Sequence, residues 1–176
     1  MSTSSGDEVD RTVSAWRRER PDVDVSSIGI VQPVLRLAAL VAERRARVLD
    51  AHELDQSHLD VLSVLRRAGP PYRLSAGELS RRCRVTAGAT TQRVQAMERD
   101  GLVARVREDP DRRTVHVQLT TLGRVRLDEV FAEVVSADES LLAGLTTAQR
   151  AALESSLRGW LDVVLAGPEA GRPDSP

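Results

Sequence analysis

The 176-residue chain is long enough for one domain with a true core, and 41% hydrophobic against 29% charged residues mark it as soluble and globular. Aromatic residues make up only 2%, so a core must be built from Leu, Val and Ala, which favours helices over a β-sandwich. The net charge of -1 excludes a bulk basic character, yet residues 79–126 hold eleven Arg against five acids and residues 127–176 three Arg against nine, which suggests one face for an anionic polymer and another for something else.

Every basic side chain is Arg. Arg suits phosphates and base edges, although a GC-rich genome produces the same usage and carries more weight here. The lone Cys83 excludes an internal disulfide framework and fits a reducing compartment. No stretch approaches the roughly 18 apolar residues of a membrane span, and the opening MSTSSGDEVD lacks a basic-then-apolar signal. A cytoplasmic location with no membrane partner is therefore expected.

In chain order, residues 1–6 read as a polar tail. Residues 7–20 predict a short helix with Val9, Val13 and Trp16 on one side, ended by Pro21. Residues 1–27 thus form an extra N-terminal helix and a linker, in which Ser26 or Ser27 can cap the next helix. That long helix is predicted over 28–52, with Pro33 near its first turns. Three short helices come next. One spans 56–68 and stops at Gly69-Pro70-Pro71. The second, over 75–82, opens with the S-x-x-E capping box of Ser75 and Glu78. The last covers 86–99 behind a Thr86 cap and stops at Asp100-Gly101. Residues 103–106 and 114–119 alternate or are β-branched around a polar tip, the pattern of a β-hairpin. Two helices close the chain, over 121–142 and from the cap Thr146 with Gln149. The tail 167–176 is disordered by composition. The fold class is mostly α with a small β-wing.

Helix, short helix, helix, hairpin is the order of a winged helix-turn-helix, placed at 55–119. Its second helix opens TAGATTQRV. Small residues such as Gly88 and Ala89 let a helix seat deeply in a major groove. Ser75, Thr86, Thr90 and Gln92 offer groups for phosphates or base edges. Arg112 and Arg113 at the hairpin tip suit the narrow, negative minor groove. Each piece alone also reads as packing or a solvated loop; their order and spacing favour double-stranded DNA as the partner.

The segment TAGATTQRVQAMERDGLVARVREDPDRRTVHVQLTTLGR, residues 86–124, resembles the recognition helix and wing of MarR-family regulators. The D-x-R wing motif falls on Asp111 and Arg113, and the L-T-x-x-G motif on Leu119, Thr120 and Gly123. The resemblance covers about residues 28–165. It implies a homodimer formed by dimerisation helices at 28–54 and 120–166, with Asp111 orienting the wing and Arg113 reading the minor groove. The acidic, leucine-rich C-terminal helices suit such an interface. It also implies a repressor on a pseudo-palindromic operator.

A narrower resemblance is to the urate-responsive, PecS-type subgroup, carried by the extra helix with Trp16 and the following RRERPDVD. It implies a ligand site on Trp16, Asp60, Arg93 and Arg105. Urate is a flat aromatic anion. An indole can stack on it, Arg can pair with its charge, and a carboxylate can accept from its ring N–H groups. The bland readings stay open: Trp16 anchoring the extra helix, Asp60 capping or pairing with Arg93, Arg105 on phosphate. A different purine or phenolic ligand fits the same residues.

Cys83 lies near Arg81, Arg82 and Arg84, which could favour a thiolate and a response to oxidation; a small core residue is the better reading. His52, His58 and His116 fall in three elements, and His52 with His58 is a weak metal pair beside surface or capping roles. No metal or other cofactor is expected. With no Gly-rich phosphate loop, nucleophile elbow or acid–base pair, the chain does not read as an enzyme.

Overall fold

The structure, a computed structural model, describes residues 5–107 and 115–167. The elements run α1 (Ser5–Glu19), α2 (Ile28–Ala51), α3 (Gln56–Arg67), β1 (Arg73–Ser75), α4 (Ala76–Cys83), α5 (Ala87–Arg99), β2 (Val103–Arg107), β3 (Val115–Leu119), α6 (Thr121–Leu142) and α7 (Thr147–Ala166). They are mostly helical with a small antiparallel sheet. The chain divides into two compact units, residues 1–137 and 138–176.

In the first unit, α3 buries Leu59, Val61, Leu62, Val64 and Leu65, a broad apolar face at helical spacing. Leu79 of α4, Val94 and Met97 of α5, Val103 and Val117 of the sheet, and Val130 of α6 complete the core around them. Helix α1 packs along α2, and Glu8 ties to Arg36 across them at 2.9 Å.

The sheet has the order β1-β3-β2, antiparallel throughout. Val103 faces Leu119 and Arg107 faces Val115 in the hairpin, while Leu74 faces Val117 on the other side. Strand β1 is not expected from the sequence. Its three residues sit between a Gly-Pro-Pro turn and a helix cap, too short to show alternation.

Local chemistry sets the helix starts. Asp55, Ser75 and Thr146 each accept from the backbone N–H three residues on, with a reciprocal contact from His58, Glu78 and Gln149. The expected Ser26 or Ser27 cap differs. Ser27 already has helical dihedrals and makes no side-chain cap bond. Asp24 instead accepts from the Ser26 N–H at 2.9 Å, closing the linker as an Asx turn.

The L-T-x-x-G motif has a structural cause. Thr120 Oγ1 donates to the Gly101 carbonyl at 2.7 Å and accepts from the Gly123 N–H at 2.9 Å. A Cβ on Gly123 would collide with the Leu102 backbone carbonyl. The motif therefore clamps the start of α6 onto the turn between α5 and β2, where Gly101 takes a φ of 70°.

In the second unit, Arg150 reaches Glu139 at 2.6 Å and the Leu142 carbonyl at 3.0 Å, closing the turn before α7.

Candidate nucleic-acid interface and ligand site

Helices α4 and α5 are held at a fixed angle by a buried pair of hydroxyls. Ser80 Oγ lies 2.8 Å from Thr90 Oγ1, and Thr90 is only 2% exposed. The Thr90 hydroxyl also donates to the Thr86 carbonyl at 3.1 Å. This corrects the expectation that Thr90 touches DNA: it is a pin between the two helices. Its spacing to Val94 and Met97, four and seven residues on, puts it in the same inward stripe.

The outward face of α5 is formed by Ala87, Gly88, Thr91, Gln92 and Gln95, all exposed. Thr91 and Gln95 are missed by the sequence reading; their helical spacing from Gly88 is the signal that finds them. A Cβ on Gly88 would meet nothing within 4 Å. No packing among the described residues requires a glycine there. That leaves room for the close approach of an outside surface. Thr86, exposed, caps the helix by accepting from the Ala89 N–H at 3.2 Å, and Ala89 is half-buried. Ser75 is committed to its own cap: its hydroxyl donates to Glu78 at 2.8 Å. That bond, with a second from the Ser75 N–H, holds the Glu78 carboxyl below its ordinary range. The wing residues Asp111, Arg112 and Arg113 lie outside the described residues.

The four residues of the expected ligand site come from four elements: Trp16 from α1, Asp60 from α3, Arg93 from α5 and Arg105 from β2. Asp60 of α3 accepts from Gln56 Nε2 at 2.8 Å and is half-buried, as is Arg93 of α5. Helices α3, α4 and α5 pack against one another, and both charges act on the Cys83 thiol at the end of α4. Arg105 stands on β2, the strand that packs against α5. Its backbone N–H donates to Glu98 Oε1 at 3.2 Å and its guanidinium stands 3.6 Å from the same carboxylate. It lines a cavity of about 460 Å³ between α5 and the hairpin, with Thr90, Thr91, Val94, Arg107 and Val117. Trp16 is half-exposed on α1, and no hydrogen bond among the described residues links its side chain to the other three.

Burial pushes the Cys83 thiol above its ordinary range; Asp60 adds to that, and Arg93 and Arg67 oppose it. The expectation that Arg81, Arg82 and Arg84 favour a thiolate does not hold, because desolvation outweighs the cations. Cys83 packs against the core, in line with the plainer reading. His58 Nδ1 accepts from the Asp55 N–H at 3.2 Å as part of a cap, and His52 Nε2 lies 3.1 Å from Glu133. Nδ1 of His116 is buried and has no hydrogen-bond partner among the described residues. Among the described residues no three metal-binding side chains gather, and no helix is long and apolar enough to cross a membrane.

The sequence model of the MarR family matches residues 52–114. The chain is 29% identical over 150 residues to the HTH-type transcriptional regulator PecS of Dickeya dadantii, covering 85% of this chain and 90% of that one. Among solved structures it is similar to a MarR family protein of Bacillus stearothermophilus, with a TM-score of 0.67, 25% identity, and coverage of 81% of this chain and 99% of that one. A MarR family protein of Mycobacterium tuberculosis, solved in complex with salicylic acid, matches with a TM-score of 0.58 and 26% identity, covering 74% of this chain and 95% of that one.

Proposed function

We propose that the chain, whose residues 52–114 match the model of the MarR family, is a winged helix-turn-helix transcriptional regulator of that kind: a homodimeric, cytoplasmic repressor that binds a pseudo-palindromic operator and releases it on taking up a small aromatic anion such as urate. The observation that carries the ligand reading is that α3 and α5, which pack against each other, bear the half-buried Asp60 and Arg93. A carboxylate and a guanidinium are the pair that a flat anion with ring N–H groups needs. Trp16 supplies the stacking surface and Arg105 the second cation.

The mechanism comes from where these residues sit. Arg93 belongs to the helix whose opposite face holds Gly88 and Thr91. A ligand that engages Asp60 and Arg93 together ties α5 to the scaffold and turns it out of register with the groove. It weakens DNA binding only as far as it prefers that arrangement; a tenfold loss needs about 1.4 kcal/mol of preference. Homodimerisation is supported by α7, which buries no residue and exposes Leu157, Trp160, Leu161 and Val164. Arg112 and Arg113 extend the DNA contact into the minor groove, with Asp111 orienting the tip.

The test is a DNA-binding titration with urate on the wild type and on Trp16→Ala. Urate is expected to release DNA from the wild type and to act more weakly on the variant. If millimolar urate neither releases DNA nor gives a Trp16-dependent binding signal, the urate assignment falls and the DNA role stands.

A second reading is favoured by the cavity beside α5. Its two arginines, Arg105 and Arg107, and its apolar walls suit a phenolate carrying a carboxylate, the chemistry of the salicylic acid bound to the Mycobacterium tuberculosis relative. Release of DNA by salicylate that survives Trp16→Ala and is lost in Arg107→Ala selects this reading over the first.

A further inference from the structure

Three residues other than glycine have left-handed backbones among the described residues: Glu53 with a φ of 56°, Tyr72 with 60° and Arg84 with 55°. Glycine takes this conformation without steric cost, and other residues do not. For Tyr72 the cost is offset by its surroundings, because its ring packs against the core and Arg66 sits over it at 5.0 Å. Arg84 has no such compensation. It is exposed, and its side chain makes no hydrogen bond or ion pair among the described residues.

Arg84 is the C-cap of α4. Its N–H donates to the Arg81 carbonyl at 3.2 Å, and the Val85 N–H donates to the Ser80 carbonyl at 3.1 Å. This is the place where glycine ordinarily ends a helix. Arg81 and Arg82 in the last turn of α4 are also exposed. Glu78 of the same helix feels those two, and its carboxylate is already held by Ser75. Arg81 and Arg82 have an ordinary explanation, since cations favour the C-terminus of a helix. That explanation does not reach a strained Arg84. Two residues further on, Thr86 starts α5. The corner between the two helices therefore carries three guanidiniums beside the end of α5 that holds Gly88.

We propose that Arg84, supported by Arg81 and Arg82, clamps the DNA phosphodiester backbone flanking the groove that α5 enters. The inference rests on the DNA-binding activity of the family and names a contact for it. Such a contact positions the helix and reads no sequence. The planar fork of Arg fits two phosphate oxygens, and with no carboxylate from another described element to displace, the cation is free to meet the backbone. A glycine would relax the corner and remove the clamp. Glu53 gives the contrast: the same backbone conformation, equally exposed, at the turn between α2 and α3, with the opposite charge.

The test measures binding of the full chain to mixed-sequence duplex DNA over a series of salt concentrations, together with melting temperatures. Wild type, Arg84→Gly, Arg84→Lys and Glu53→Gly are compared. Arg84→Gly is expected to bind several-fold more weakly at moderate salt. Its salt dependence should be shallower by about 1 for each bound chain, while its Tm is held or raised. Arg84→Lys keeps the wild-type slope, and Glu53→Gly keeps slope and affinity. Wild-type affinity and slope in Arg84→Gly overturn the clamp. So does a loss of affinity shared by Glu53→Gly, or one that comes with a lower Tm and is not restored by Arg84→Lys. A wild type that binds no duplex at any salt overturns the DNA-binding reading itself, and the clamp with it.

Discussion

Helices α3 and α7 are both rich in Leu and Val and are opposite in burial. Twelve-residue α3 buries five apolar residues, whereas twenty-residue α7 buries none and leaves Leu153, Leu157, Trp160, Leu161 and Val164 more than a third exposed. Both carry apolar residues at helical spacing. For α3 the partner surface lies within the first unit; for α7 the proposed partner is a second copy of the chain. Helix α2 holds both conditions. Leu49 at its C-terminal end is buried, while Ile30, Leu35 and Leu37 toward its start are more than half exposed. Apolar stripes of this length left open to water mark a surface for association. In the proposed homodimer a second copy covers them, and α4 and α5 remain outward for DNA.

The largest effect that can break this contrast is inside the first unit. Gly123→Ala places a methyl against the Leu102 carbonyl and is expected to destabilise by about 3 kcal/mol or more, lowering the Tm by roughly 6–12 °C. A melt within about two degrees of wild type would mean that the clamp of α6 on the α5–β2 turn is not tight.

Next in size is Leu157→Asp with Trp160→Asp on α7. These side chains are exposed in the single chain, so the double variant should fold, yet its self-association should weaken by at least about 100-fold, since each carries a buried charge into the interface. Sedimentation velocity over a concentration series checks it. A dimer as tight as wild type removes α7 from the interface.

Thr90 and Thr91 sharpen the same inside–outside distinction one residue apart. Thr90→Val removes one of the two partners of the buried Ser80 hydroxyl, which keeps the Ala76 carbonyl, and should cost about 1 kcal/mol by thermal or urea unfolding. Thr91→Val, on the exposed face, should stay within about 0.5 kcal/mol while weakening DNA binding. Equal effects of the two on stability would contradict the assignment of faces.

Titration gives smaller effects. Because burial keeps the Cys83 thiol protonated above its ordinary range, iodoacetamide at neutral pH should modify it more slowly than a free cysteine; faster reaction would revive an oxidation response. The Asp55 carboxyl is pulled the other way. Burial opposes the shift, but hydrogen bonds from Ser57 and from the His58 N–H outweigh it and hold the group below its ordinary value. Its unfolded form binds protons first as pH falls. The stabilisation is therefore complete above the unfolded value and is lost as pH drops through the folded one. Asp55→Ala should flatten that acid limb and cost about 1 kcal/mol at neutral pH.

Much of this fold is readable in the sequence because it is locally encoded. Ser75 with Glu78 and Thr146 with Gln149 announce their helices by capping, and Asp100-Gly101 announces the turn before the hairpin. The hidden features depend on contacts distant in sequence. In TAGATT every residue is small, so composition cannot separate inward Thr90 from outward Thr91; only the stripe through Val94 and Met97 does. Strand β1 exists because β3 offers it an edge. The mutual packing of α3, α4 and α5, which bear Asp60, Cys83 and Arg93, is a tertiary outcome that residue type alone does not specify.

Dimeric DNA binding is tested most directly by hydroxyl-radical footprinting, with stoichiometry by sedimentation, on a duplex selected from a random pool. Two chains per duplex are expected, with two protected half-sites centred about 10 bp apart on one face of the DNA. A single chain bound to one asymmetric half-site would contradict it.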